Sequence, residues 1–244
     1  MKKTDTYQIP VLMYHRVVND RSEAGKHNIY VKLDHLRKQF NFIKRNSYQT
    51  ITFKDLNSQN DLNKKIILTF DDGYVDNYTL LFPLLKEFNF TAVIFLVTKL
   101  TKNKWGIACG EPVIGLINEA QIKEMHAYGI EFGGHTRNHL NLLLLSSEQI
   151  RDEIFGSKTD IEKMLNTEVI SFSYPFGALD ENIKSIVKES GYLYGISTKS
   201  GPDNIFDDLL QIKRIEISNR TKLYRFRKKV SGDYFKPSLL NKFF

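Results

Sequence analysis

Two adjacent carboxylates have the position and the spacing that hydrolytic chemistry can use. Asp71 and Asp72 follow the apolar run of residues 66–70 and are followed at once by Gly73. Neighbouring side chains on a strand point to opposite sides, so the two carboxylates are expected to do different work. One could hold a cation while the other faces the group that the cation polarises. Taken alone, Asp-Asp-Gly is also ordinary turn chemistry at the end of a strand.

A pair of histidines lies further along the chain. His135 and His139 are four residues apart, so a turn of helix would place both imidazoles on the same side. Together with a carboxylate they form a set typical of zinc or another divalent transition metal, with open positions for water and substrate. Such a pair on its own is more often accidental. Its position after a predicted strand, equivalent to that of Asp71 and Asp72, favours a metal site.

The elements around these motifs predict where they meet. Strand-like runs alternate with helical apolar spacing about seven times, which is typical of an α/β fold with a parallel sheet, open or closed into a barrel. Every polar motif follows a predicted strand, and the carboxyl ends of barrel strands share the face on which active sites are built. The main predicted strands cover residues 9–14, 65–70, 90–97, 130–133, 168–172 and 210–217, and a basic helix is predicted over residues 222–230.

Length and composition limit the class of protein. With 244 residues, 41% hydrophobic and 26% charged, the chain is typical of one globular domain. Residues 1–220 would form its body, and residues 221–244 a basic helix and tail of the same domain. We find no apolar run of membrane-span length and no signal peptide, so a cytoplasmic location is expected. The single cysteine, Cys109, excludes an internal disulfide.

Positive charge is concentrated near the C-terminal end. Residues 213–242 contain ten lysines and arginines against Glu216 and Asp233, a net of +8, whereas the whole chain has a net charge of +7. A basic segment of this kind favours an anionic neighbour. We expect peripheral contact with an anionic membrane, and no nucleic acid, because no recognition motif for nucleic acid is found. The alternative is the solvated outer face of a packed helix.

Three segments carry a family resemblance. In this order, Thr69-Phe70-Asp71-Asp72-Gly73, His135-Thr136-x-x-His139 and Tyr174-Pro175-Phe176-Gly177 resemble the motifs of the polysaccharide deacetylase family, the NodB homology domain of carbohydrate esterase family 4. The resemblance extends over residues 9–218. It implies a distorted (β/α) barrel and metal-dependent hydrolysis of an N-acetyl, occasionally an O-acetyl, group on a sugar.

The same resemblance implies a role for each matching residue. Asp72, His135 and His139 would bind a divalent metal, with Zn²⁺ first and Co²⁺ or Ni²⁺ as alternatives. Asp71 would be the general base that deprotonates the attacking water, and the backbone N–H of Phe176 would stabilise the oxyanion. The side chains expected to contact substrate are Tyr74, Pro175 and Arg214, with Trp105 and Phe176 as further candidates for stacking on a sugar ring.

The chain departs from the family pattern at two points. The family usually has an arginine two residues before the proline of the third motif, where this chain has Ser173; Arg214 or Arg16 could brace Asp71 instead. The family also usually supplies a late histidine as the acid for the leaving amine, and none follows residue 139. The opening segment, residues 10–15, resembles that of the poly-N-acetylglucosamine deacetylases, which implies that His15 is the acid.

The sequence therefore predicts a metal-dependent N-deacetylase of an amino sugar that is polymeric, such as a bacterial surface polysaccharide, or carried on a lipid or nucleotide. Two alternatives stay open. A magnesium-dependent phosphohydrolase could use Asp71 and Asp72, but magnesium prefers oxygen ligands and would have little use for the histidines. A carbohydrate-binding pseudoenzyme is suggested by Ser173 and by the missing late histidine.

Overall fold

The computed structural model of the chain describes residues 9–56, 58, 61–107, 110–201 and 204–232. Cys109 and residues 233–244 of the predicted basic tail lie outside the described residues. No helix within the described ranges is long and apolar enough to cross a bilayer.

Ten strands are present in the described part of the chain. They are β1 (Val11–Tyr14), β2 (Arg16–Val18), β3 (Tyr30–Lys32), β4 (Gln49–Ile51), β5 (Lys65–Phe70), β6 (Val93–Leu96), β7 (Glu131–Gly134), β8 (Ser171–Ser173), β9 (Tyr194–Ile196) and β10 (Ile215–Glu216). Eight of them form one parallel sheet in the order β10-β1-β5-β6-β7-β8-β9, with β4 also paired to β5, while β2 and β3 pair separately.

Six α-helices are present in the described residues. They are α1 (Leu33–Arg45), α2 (Phe82–Phe88), α3 (Glu119–Tyr128), α4 (Ser147–Leu165), α5 (Glu181–Glu189) and α6 (Leu223–Val230), and the π-helical turn Asn77–Leu81 precedes α2. Their apolar faces are buried at the predicted helical spacing, as for Leu36, Phe40 and Ile43 of α1. Asn118 and Ser146 form capping boxes at the starts of α3 and α4, which fix where these helices begin.

The sheet curls until one segment contacts both of its edges. Ile215 of β10 pairs with Leu12 of β1, whereas Ile212, three residues earlier, bridges to Ile196 of β9. The first and last strands therefore meet, and the predicted distorted barrel of parallel strands is confirmed. The strand predicted over residues 210–217 is shorter than expected because this segment changes partner from β9 to β1 at Arg214.

Alternation along β5 separates two apolar clusters and places the first carboxylate. Leu68 and Phe70 belong to the large cluster that includes the helices, whereas Ile67 belongs to the smaller cluster with Phe95 and Ile196. Side chains two residues apart on a strand share a face, so Thr69 and the following Asp71 continue the row that Ile67 begins. The carboxylate of Asp71 therefore lies at the carboxyl end of β5, next to the smaller apolar cluster.

Candidate metal centre and active site

Three buried side chains converge at the carboxyl ends of β5 and β7. Asp72, His135 and His139 offer ligand atoms that all lie within 4.8 Å of one another. Asp72 Oδ1 is 3.3 Å from His135 Nε2 and 3.2 Å from His139 Nε2. This is the predicted set of two histidines and one carboxylate.

The backbone that presents these ligands is in an unusual conformation. Asp72 has φ 75°, Thr136 has φ 65° and His139 has φ 54°. Residues other than glycine seldom adopt positive φ values of this kind. The predicted helical turn over residues 135–139 is therefore wrong. The segment is instead a tight turn in which the His139 N–H donates to Thr136 Oγ1 at 2.9 Å. Spacing by four residues fits this turn as well as it fits a helix.

The atoms that face one another fit a cation. His135 Nδ1 lies 2.7 Å from the carbonyl oxygen of Ser173. Because a carbonyl can only accept, Nδ1 carries a hydrogen, and in the neutral ring Nε2 then presents a lone pair toward Asp72. Asp72 Oδ1 is buried and has no hydrogen-bond partner among the described residues. Burial lowers the pKa of His135, but the carboxylates of Asp72 and Asp71 outweigh it and raise that pKa. The pocket thus favours a positive charge, and its nitrogen and oxygen donors suit a transition metal.

The neighbouring carboxylate is held by a buried arginine. Arg214 Nη1 and Nη2 donate to the two oxygens of Asp71 at 2.7 Å each. The other N–H groups of this fully buried guanidinium also have acceptors: Thr69 Oγ1 and Ser173 Oγ at 3.1 Å, and the Ser197 carbonyl at 3.0 Å. All five donors of the guanidinium are satisfied. The prediction that Arg214 contacts substrate is thus corrected, because its whole hydrogen-bonding capacity is used inside the protein.

This arginine also sets the charge of its partner. Burial raises the pKa of Asp71, but the charge and hydrogen bonds of Arg214 offset it, so that the pKa lies below its ordinary value. Asp71 is therefore ionised at neutral pH. Arg16, the other predicted brace, pairs with Asp76 at 3.1 Å instead.

His15 lies beside the same carboxylate. It follows β1 directly, as Asp71 follows β5, and the two strands are paired with Tyr14 opposite Phe70. His15 Nε2 is 3.9 Å from Asp71 Oδ2, and the His15 side chain is 19% exposed, whereas that of Asp71 is 2% exposed. The structure thus places a partly exposed His15 next to Asp71, the residue that precedes the candidate ligand Asp72.

The third motif forms the other wall. Phe176 has φ 59°, its side chain is 58% exposed, and its ring meets that of His139 edge to face at 4.7 Å. Tyr74 and Pro175 are buried, whereas Phe176 is exposed. The contacts of these three residues with substrate stay predictions.

Sequence reasoning missed the polar supports of Arg214, namely Thr69, Ser173 as a hydrogen-bond partner, and Ser197. A weak signal for Thr69 exists, since it lies two residues before Asp71 on the same face of β5. The contribution of Ser197 depends on the closure of the sheet, which local pattern does not reveal.

Comparison with known proteins assigns the family. Residues 58–195, more than half of the chain, match the family model described as polysaccharide deacetylase. The chain belongs to the polysaccharide deacetylase family. Within it, the chain is 29% identical over 216 residues to YxkH of Bacillus subtilis, whose name also assigns it to the polysaccharide deacetylases; the match covers 86% of this chain and 72% of YxkH.

Two further relatives carry more specific names. The poly-beta-1,6-N-acetyl-D-glucosamine N-deacetylase of Staphylococcus epidermidis is 23% identical over 205 residues, covering 79% of this chain and 69% of that protein. The solved structure of the Streptococcus pyogenes deacetylase PplD in complex with acetate superposes with a TM-score of 0.81 at 27% identity, over 92% of this chain and 99% of PplD. Membership of the polysaccharide deacetylase family makes the chain a carbohydrate N-deacetylase, a hydrolase of a non-peptide carbon–nitrogen bond.

Proposed function

We propose that this deacetylase is metal-dependent and removes the N-acetyl group from an amino sugar, releasing acetate. The observation that carries the proposal is the buried, unpartnered Asp72 Oδ1, which faces the Nε2 atoms of two buried imidazoles. A buried carboxylate oxygen without a partner is costly unless a cation joins it.

Asp72, His135 and His139 would hold the ion, with Zn²⁺ first and Co²⁺ or Ni²⁺ as alternatives. An ion bound there supplies a Lewis acid that polarises the acetyl carbonyl and acidifies a water molecule. The Ser173 carbonyl fixes the tautomer and ring plane of His135 in advance.

Asp71 takes the proton of the attacking water as the water oxygen bonds to the acetyl carbon. Arg214 keeps this carboxylate ionised and fixed in orientation. Oδ2 also accepts from Ser173 Oγ at 3.4 Å, whereas Oδ1 keeps its second lone pair for the proton. The backbone N–H of Phe176 donates to the oxyanion that develops on the carbonyl oxygen.

His15 gives a proton to the nitrogen as the carbon–nitrogen bond breaks, so that the sugar leaves as a free amine and the acetyl group as acetate. Its position beside Asp71 Oδ2 at 3.9 Å supports this role, because the base and the acid then flank the same reacting carbon. The exposed ring of Phe176 offers a face on which a pyranose can stack.

We infer that the substrate is an N-acetylglucosamine polymer. The relative from S. epidermidis is named for poly-beta-1,6-N-acetyl-D-glucosamine, and the acid histidine on the first strand is the feature by which this chain resembles that subgroup. Lipid- and nucleotide-linked N-acetylhexosamines are the other substrates to test.

An acetate-release screen over these substrates tests the proposal, with protein that has been chelated and then given zinc. Activity is expected to vanish on chelation and to return with zinc in the wild type, but not in His139→Ala. His126→Ala on α3 is the matched control and should behave as the wild type. Full activity of His139→Ala after zinc return would refute the metal assignment, and sugar binding without acetate release would support a binding protein.

A further inference from the structure

The two histidines of the candidate metal centre are oriented in different ways. His135 Nδ1 has a hydrogen-bond partner, the carbonyl of Ser173, as metal-binding histidines usually do. His139 Nδ1 is buried and has no partner among the described residues. Something other than a hydrogen bond must therefore hold the plane of the second imidazole.

Trp105 supplies a closer ring contact with His139 than the edge-to-face contact of Phe176. The indole ring lies over that of His139 with 4.0 Å between centroids and 24° between planes. Its Nε1–H donates to Tyr74 Oη at 3.1 Å, and Tyr74 lies two residues after Asp72 in the turn that follows β5. One indole thus stacks on one candidate ligand and is hydrogen-bonded to the turn that carries another.

The loop that carries Trp105 is attached to the turn that carries Asp72. Ile117 N–H donates to the carbonyl of Gly73 at 2.8 Å, and Leu116 bridges to Tyr74. Within the loop, the buried side chain of Asn103 receives the Ile114 N–H at 2.7 Å and donates to the Pro112 carbonyl at 3.0 Å. The position of the indole is therefore defined by backbone contacts and not by the ring alone.

We propose that Trp105 is a positioning residue of the metal centre: its indole ring replaces the missing hydrogen bond to His139, and its N–H holds the turn of Asp72 in place through Tyr74. This inference rests on the proposed metal dependence. An imidazole that binds a cation becomes electron-poor, and an aromatic face stabilises such a partner. Loss of outer contacts to metal ligands typically weakens metal affinity by ~10–100-fold.

Zinc affinity, measured by competition with a chromophoric chelator, is the first test. Trp105→Leu, which removes both contacts, should raise the Kd for zinc by ~10–100-fold, and Tyr74→Phe should raise it by about tenfold. Trp105→Phe keeps a ring over His139 and should fall between Trp105→Leu and the wild type. Tyr78→Phe is the matched control, because it removes a hydroxyl from a surface contact with Glu124, and its Kd should equal that of the wild type.

A double variant tests whether Trp105 and Tyr74 act on the metal site through their mutual hydrogen bond or independently of each other. If the indole N–H acts through Tyr74 Oη, Trp105→Phe should weaken zinc binding less in a Tyr74→Phe background than in the wild type. Equal factors in the two backgrounds would overturn the hydrogen-bonded part of the proposal.

Fluorescence provides a readout that does not depend on any substitution of the loop. Trp105 is the single tryptophan of the chain, so emission excited at the indole band comes from it alone. Saturable quenching by Co²⁺ is expected at the Kd for Co²⁺ that the same competition gives, and it should be absent in His139→Ala. Metal binding that leaves the emission unchanged would contradict the stacked geometry.

The outcomes separate this inference from the proposed function. A wild type that binds no zinc overturns both. A wild type that binds zinc but releases no acetate overturns the proposed function alone. A folded Trp105→Leu that binds zinc as tightly as the wild type, and gains as much in Tm on zinc addition, overturns this inference alone.

Discussion

At the scale of residues, Arg214 braces the carboxylate of Asp71, a role that in the family usually belongs to an arginine on another strand. The family arginine precedes the third motif, where this chain has Ser173, yet Ser173 Oγ lies only 3.1 Å from Arg214 Nη2. The guanidinium therefore reaches the same carboxylate from the segment between β9 and β10. A bidentate arginine fixes both the charge and the orientation of its partner.

We expect Arg214→Gln to lose most of its activity and to change its pH dependence. Burial of Asp71 persists while the main opposing charge is gone, so the pKa of Asp71 should rise. A base acts only when ionised, so the acidic limb of the kcat/KM profile should move to higher pH. The measurement is a pH profile of acetate release by protein whose fold is checked by circular dichroism.

The same site offers a rescue. Arg214→Gln combined with Ser173→Arg returns a guanidinium to the position that the family uses, and we expect part of the activity and the lower acidic limb to return. A folded double variant no more active than Arg214→Gln would show that the two positions are not interchangeable.

His15→Ala should affect substrates according to their leaving group. An amide needs a proton on its nitrogen as the bond breaks, so the loss of kcat on an N-acetyl sugar should be ~10²–10⁴-fold. An activated acetate ester, whose leaving group needs little protonation, should lose far less. Equal losses in kcat for the amide and the ester would give His15 a structural role.

At the scale of elements, α4 holds the loop that carries both histidines. Glu153 is buried, and its Oε2 accepts the backbone N–H groups of Arg137 and Asn138 at 2.9 Å each, while its Oε1 accepts from Asn138 Nδ2 at 2.6 Å. The strained φ values of Thr136 and His139 persist only if neighbouring contacts compensate for them. A single carboxylate on a helix supplies three such contacts.

Glu153→Ala should therefore destabilise the protein and weaken its metal site together. Removing hydrogen bonds to a charged group costs about 1.5–3 kcal/mol each, and neighbouring contacts are not additive. We expect a lower midpoint of urea unfolding for the metal-free protein and a higher Kd for zinc, with Glu153→Gln between Glu153→Ala and the wild type. Glu148→Ala, at the exposed start of α4, is the control. If Glu153→Ala bound zinc with the same Kd as Glu148→Ala, Glu153 would not support the metal site.

At the scale of the whole molecule, α6 presents a basic surface. Phe226 and Val230 are buried, with Phe226 against Phe42 of α1 at 5.9 Å between ring centroids. Arg225, Arg227 and Lys228 have no acidic partner among the described residues, and Arg227 lies over the ring of Phe42. The predicted helix exists, and its contact with a membrane stays a prediction.

Vesicle co-sedimentation tests that prediction. Each lysine or arginine near an anionic surface contributes ~1 kcal/mol, so binding should require anionic lipid and should fade as salt is raised. Replacing Arg225, Arg227 and Lys228 by glutamine should abolish it. The matched control replaces lysines 38, 86 and 123, which are paired with acidic residues, and should bind as the wild type does. If the wild type does not bind anionic vesicles at low salt, the basic surface of α6 is a charged surface without a membrane contact.

The sequence by itself determined the strands of the main sheet, the helical faces and the chemistry of the motifs, because these depend on residue type and on spacing along a few residues. Alternation along β5 placed Asp71 on the face of Ile67 and Thr69, and motif order identified the family, whereas β2 and β3 were not predicted. The spacing of His135 and His139 was correctly connected with a common ligand site, but wrongly with a helix, because two imidazoles four residues apart can also converge from a tight turn.

Only the tertiary structure decided which distant groups support the site. Arg214 lies 143 residues from Asp71 along the chain. That Arg214 and not Arg16 pairs with Asp71 depends on the closure of the sheet at β10. The contacts of Trp105 with His139 and of Glu153 with the histidine loop likewise join separate elements. Such pairings are selected by burial and by the need to satisfy every polar group in the closed barrel at once, a condition that no local stretch of sequence contains.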